Sequence, residues 1–193
     1  MAQSSTLPDM SAEQARGRRM DRIRGLSHAM AVGCLVTCGL LVAAMAIYWA
    51  LTPIRTLFSQ AGIQDAPATE IDILVRLLAF GISMVPLGTL IYGLLSARRC
   101  FASFAAGRIF SSESIKHLKA FSIAVAGSAL LKPFAGAALS VLLSSRAAPG
   151  SMTMALNIGS DTIIALIFAG TMAIIAGVMA EALDIADENK QFV

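Results

Sequence analysis

The sequence predicts an all-α integral membrane protein: an N-in/C-in four-helix bundle with a short cytoplasmic helical loop between helices two and three. Three observations predict it. Four long apolar runs occupy a little under half of the 193 residues. Only 14% of the chain is charged and 56% is hydrophobic, whereas soluble domains carry roughly 25% charged residues. Lys and Arg gather beside the runs, mostly on one side, which is how membrane topology is encoded.

The elements follow in chain order. Residues 1–25 form a basic cytoplasmic tail, partly disordered over its first dozen residues, with Arg16, Arg18, Arg19, Arg22 and Arg24. Residues 26–193 form the transmembrane domain. Met20, Ile23 and Leu26 recur every three residues, so a short amphipathic helix leads into the membrane. The first run, Ala29 to Leu51, has no charge in 23 residues; about 20 such residues cross roughly 30 Å of hydrocarbon. Ala44-Met45-Ala46 matches a signal-cleavage pattern, but Ile47-Tyr48-Trp49 follows where a polar mature start belongs. The run is therefore read as a retained helix, with Tyr48 and Trp49 at the far interface.

An outer loop, 52–70, opens at Pro53. The second run is Leu77 to Leu95, and Pro86 marks a kink. Asp72 and Arg76, four apart, are placed to pair on one helix face. Residues 97–119 form the largest inner loop. Gly107 has the place of a C′ cap, and Ser111 or Ser112 can cap the next helix. The expectation is helix, tight turn, helix, lying along the inner surface. The third run, Ala120 to Leu143, is interrupted by Lys132-Pro133, and an outer loop covers 144–160. The fourth run, Thr162 to Ala180, flows without a breaker to Asn189 and should project beyond the bilayer. The predicted helices lie near 27–51, 72–97, 113–144 and 161–190.

Eleven Lys and Arg flank the inner ends, counting Arg98, Arg99, Arg108, Lys116, Lys119, Lys190 and the five tail arginines. The outer side holds three: Arg55, Arg76 and Arg146. That bias puts both termini inside.

Lys132 is the sharpest chemical feature. A cation near the bilayer centre is unfavourable by about 2.5–3.5 kcal/mol on insertion scales. Pro133 frees the Ala129 carbonyl, which together with Ser128 can accept from the ammonium. Lys132 also lies on a four-spaced row of small residues, Ala120, Ala124, Ser128, Gly136 and Ser140. A row of this kind lets helices approach closely in lipid, so Lys132 should face the bundle interior. The row Ala165, Ala169, Ala173 and Gly177 is its expected partner on the fourth helix. Asp161 or Asp72 is the candidate counter-ion. One reading makes Lys132 a binding or coupling site for an anion or carboxylate; the plainer one makes it a satisfied lysine beside a proline kink.

The second feature is an acidic face, Glu181, Asp184 and Glu188, with Asp187 beside it. Anions near a helix C-terminus oppose its dipole, so a basic partner is expected, either Arg98, Arg99 and Arg108 or another protein. His28 and His117 stand without a second ligand at metal spacing. Cys34, Cys38 and Cys100 show no CxxC pair; Cys34 and Cys38, on one face of the first helix, are expected to pack as small apolar residues. No HExxH, GxSxG or P-loop appears, and no paired intramembrane carboxylates. No catalytic residue, cofactor or metal site is therefore expected, nor direct nucleic-acid binding.

Phe104-Ala105-Ala106-Gly107-Arg108-Ile109-Phe110-Ser111 resembles the "Gly-x-Ile/Val-Phe-Ser" turn of the bacterial membrane family catalogued as domain of unknown function 2975. The tail Ala186-Asp187-Glu188-Asn189-Lys190-Gln191-Phe192-Val193 resembles that family's closing "Glu-Asn-x-x-Phe/Leu/Thr-Val" segment. The likeness covers roughly residues 30–193. It implies four helices in this order, the bacterial inner (cytoplasmic) membrane, and no established enzymatic activity. Family members are often encoded beside a small Cro-type helix-turn-helix regulator, which implies a cytoplasmic protein partner. The matching residues, Gly107, Ile109, Phe110, Glu188, Asn189 and Val193, with Arg108, would form the surface for it. Lys132 has no family role.

Two functions from different classes are therefore expected: a regulatory or scaffold protein holding a cytoplasmic partner, and a small transporter or ion-conducting oligomer using Lys132. A third, an assembly subunit or homo-oligomer joined through the small-residue rows, is also compatible with the sequence.

Overall fold

The computed structural model describes residues 10–52, 73–108, 111–144 and 158–191. They form four α-helices: α1 Met10–Leu51, α2 Ile73–Ala105, α3 Ser112–Ser144 and α4 Ser160–Gln191. Each is long and apolar enough to cross a membrane. Their faces carry large exposed apolar side chains such as Leu40, Leu77, Phe134 and Ile174. An apolar surface of that extent needs lipid, not water, as its solvent.

α1 begins at Met10, so the basic segment from Met10 onward continues the first helix. α2 runs through Arg98, Arg99 and Cys100 to Ala105, where sequence reasoning stopped it near residue 97 and laid the next turn along the surface. Nothing in Ser96–Ala105 breaks a helix, and long basic side chains reach polar surroundings from a continuing one. Pro86 and Pro133 both sit inside helices.

Packing is serial: α1 on α2, α2 on α3, α3 on α4. Successive helices are antiparallel, so the start of α1, the α2–α3 turn and the end of α4 share one end of the molecule. On α1, Ser27, Ala31, Cys34 and Cys38 are buried. Their 4-3-4 spacing is a seam of the kind that packs left-handed helix pairs. Cys34, Cys38 and Cys100 are all buried free thiols. At the opposite end Trp49 is only 6% exposed and packs on Ala79 with Met45, Phe80, Leu139 and Leu142 around it.

The small-residue rows pack differently from the expectation. A residue turns about 100° round the helix axis, so each four-residue step overshoots a turn by about 40°. Ala124 therefore faces α2, where a Cβ placed on Gly93 would lie 2.9 Å from its own. Ser128 also faces α2, donating to the Pro86 carbonyl at 2.8 Å. Lys132 has rotated away toward α4 and is exposed. On α4 the buried positions are Thr162, Ala169 and Ala176, spaced by seven, whereas Ala173 and Gly177 are exposed.

α3 and α4 are staggered. Phe121 meets Phe168 edge to face, centroids 6.2 Å apart. Counting from that contact, α4 overruns the start of α3 by about 14 residues, or ~20 Å. At its other end α4 begins level with Lys132, so α3 continues about 18 Å past it without that neighbour.

Candidate functional site

Asp161 is held in the first turn of α4. The Thr162 amide donates to the Gly159 carbonyl at 3.1 Å, which closes the turn into the helix. Gly159 leaves room for the carboxylate, since a Cβ there would displace it. A helix N-terminus also favours an anion. Lys132, one turn of chain from the middle of α3 and just before buried Pro133, donates from Nζ to Asp161 Oδ2. Both side chains are mostly exposed, at 62% and 60%. Lys132 thus lies at the α3–α4 seam, open on one flank, and not in the bundle interior.

The pair borders a cleft of about 160 Å³ reached by α2, α3 and α4, with Leu90, Val125, Ser128, Ala129, Thr162 and Ala165 as its walls. Ser128 does not accept from the ammonium as expected: the ammonium reaches across to Asp161 on α4, and the Ser128 hydroxyl donates to Pro86 on α2. The arrangement neutralises two charges that would each be unfavourable alone in lipid. Asp72, the other counter-ion candidate, lies outside the described residues.

Arg76, expected to pair with Asp72, which lies outside the described residues, caps α1. Its Nη1 donates to the Ala50 carbonyl at 3.3 Å and its Nη2 to the Thr52 carbonyl at 3.4 Å. The last carbonyls of a helix lack partners and carry partial negative charge. A cation 24 residues downstream was not legible as their cap, because nothing local links the two.

At the opposite end the α2–α3 turn is tightly built. Gly107 has φ +81°, its amide donates to Phe104 O at 2.9 Å, and the Arg108 amide donates to Ser103 O at 3.0 Å. That bond pattern is a Schellman C-cap. Ser111 then caps α3, accepting from the Ser114 amide at 3.2 Å. Fully buried Ser114 donates to the Arg108 carbonyl at 3.1 Å. A Cβ on Gly107 would come 3.4 Å from the Arg24 guanidinium of α1, so three helices meet at this turn. Ile109 and Phe110 lie outside the described residues. His117 does have a carboxylate one turn away, since Glu113 Oε1 is 4.0 Å from its Nε2, but no metal-holding group of three ligands exists among the described residues.

On α4 the side chains of Glu181, Asp184, Glu188 and Asn189 are exposed. Among the described residues, Glu181, Asp184 and Glu188 form no ion pair with Arg98, Arg99 or Arg108. The overrun of α4 carries them past α2, which holds Arg98 and Arg99, and toward or past the turn at Arg108.

Four apolar antiparallel helices, a neutralised charge pair at one seam and a polar helix end standing clear of the rest define a multi-pass membrane protein. No curated protein and no solved structure matches the chain. Residues 20–193 match the family described as "Protein of unknown function (DUF2975)", and the chain belongs to that family.

Proposed function

We propose that this is a bacterial inner-membrane protein that acts through its cytoplasmic face, holding a basic protein partner on the free end of α4 and the adjoining turn. The observation that carries this reading is the acidic face Glu181, Asp184 and Glu188, exposed and unpaired with the inner arginines. It lies near the end of a helix whose own dipole disfavours anions, so a cationic surface gains from both. Both ends of the chain lie in the cytoplasm on this reading, as the Lys and Arg bias favours. A small helix-turn-helix regulator, implied by the family resemblance, has the required basic surface. Held there it would be kept from DNA, or released on a signal.

The test is crosslinking and affinity capture from native membranes, followed by mass spectrometry. The triple variant Glu181→Lys, Asp184→Lys, Glu188→Lys should lose a cytoplasmic partner at least tenfold, with Lys132→Met as the unaffected control. Full retention of every partner by the triple variant would refute the reading. Transport through the Lys132 seam is the lesser reading. One neutralised pair beside a small cleft gives it support, but proteoliposome flux abolished by Lys132→Met is the result it needs.

A further inference from the structure

We propose that the groove between α1 and α3 holds a phospholipid, an acyl chain along the groove and the phosphate at Arg76. Serial packing creates the groove: α1 and α3 both pack on α2 and stand on either side of it. Its volume is about 560 Å³, and Leu41, Met45, Leu87, Leu139 and Leu143 form most of the wall. Ligand pockets run roughly 300–1,000 Å³ and are mainly apolar with a few placed polar groups. From Leu41 to Trp49 it extends about 12 Å along α1, a length that takes part of one extended acyl chain.

Two further observations point to a lipid with a polar head, not merely a tail. Arg76, half-buried beside this end of the groove, uses two of its donors on the Ala50 and Thr52 carbonyls. A guanidinium has five, and its fork matches phosphate oxygens. Trp49, which lines the groove one residue from that cap, buries an indole N–H that has no acceptor among the described residues. A buried donor left unsatisfied is unfavourable by about 1–3 kcal/mol; a turn of the indole toward the groove would give it the ester carbonyl of the phospholipid as acceptor. Chain, ester and phosphate thus meet apolar wall, indole and guanidinium in the order a phospholipid presents them. The cation selects an anionic head, so phosphatidylglycerol should be preferred over phosphatidylcholine.

Trp49 is the chain's one tryptophan, so it reports on its own site. The full chain is reconstituted in vesicles in which a fixed fraction of either phosphatidylglycerol or phosphatidylcholine carries bromine on the acyl chain. Bromine quenches indole fluorescence at short range. Brominated phosphatidylglycerol should quench at least twofold more than brominated phosphatidylcholine. Arg76→Gln should abolish the difference. Gly136 lines the groove with open space around it, so Gly136→Leu should fill it and reduce quenching by both lipids about twofold without touching the α1 cap. Equal quenching by the two lipids in the wild type, quenching by neither, or full quenching in Gly136→Leu each overturns the proposal.

Discussion

Gly93 and Gly88 lie in the same helix and differ in what a methyl group would meet. A Cβ on Gly93 would stand 2.9 Å from the Ala124 Cβ and 3.5 Å from the Phe121 carbonyl oxygen, whereas one on Gly88 meets nothing within 4 Å. Two carbons rest at about 3.5–4.0 Å, so Gly93→Ala forces α2 and α3 apart locally by roughly 0.6–1 Å. Overpacking of that kind destabilises by about 1–3 kcal/mol. Replacing a mid-helix glycine by alanine also gains up to ~1 kcal/mol of helix propensity. That gain is common to both variants, so their difference isolates the contact. Gly93→Ala should be less stable than Gly88→Ala by about 1–3 kcal/mol. The assay is reversible unfolding in mixed micelles, titrated with a denaturing detergent. Stabilities that agree within about 0.5 kcal/mol, the usual scatter of substitutions touching nothing, would refute the close approach of α2 and α3.

Two other outcomes are expected from the same assay. Gly107→Ala should destabilise by about 1–2 kcal/mol, the penalty for a side chain in the left-handed region, and equal stability would show that the turn is not capped as described. Lys132→Met and Asp161→Asn should each lower thermal stability in lipid-detergent micelles, because either change strands one charge. The double variant should recover most of the loss, since replacing both partners of a pair is far less damaging than replacing one. Single variants as stable as the wild type would mean that both groups are fully hydrated.

Helix number and order were legible because an apolar run of membrane length has few other uses. The third helix was placed at 113–144 and spans Ser112–Ser144, its start marked by serines and its end by the last of the apolar residues. Gly107 was legible for a similar reason, since a glycine closing an amphipathic stretch has a defined backbone role. Which face of each helix packs was much less legible. In a helix that is apolar all round, the polar-apolar contrast that marks the inner face of a soluble helix is missing. Only small residues hint at contact, and a four-spaced row drifts from one neighbour to the next, as Ala124, Ser128 and Lys132 do. The Arg76 cap and the α3–α4 stagger depend on contacts between distant segments, and no local pattern encodes either.

The uncharged faces of α1 and α4 differ in height. The uncharged run of α1, Ala29 to Leu51, offers lipid an apolar wall about 34 Å tall, while Thr162 to Ala180 on α4 offers about 28 Å. Lipids pay a fraction of a kcal/mol for each ångström of such mismatch. The α4 flank should therefore draw the leaflets together beside the exposed pair Lys132 and Asp161, shortening its approach to polar headgroups.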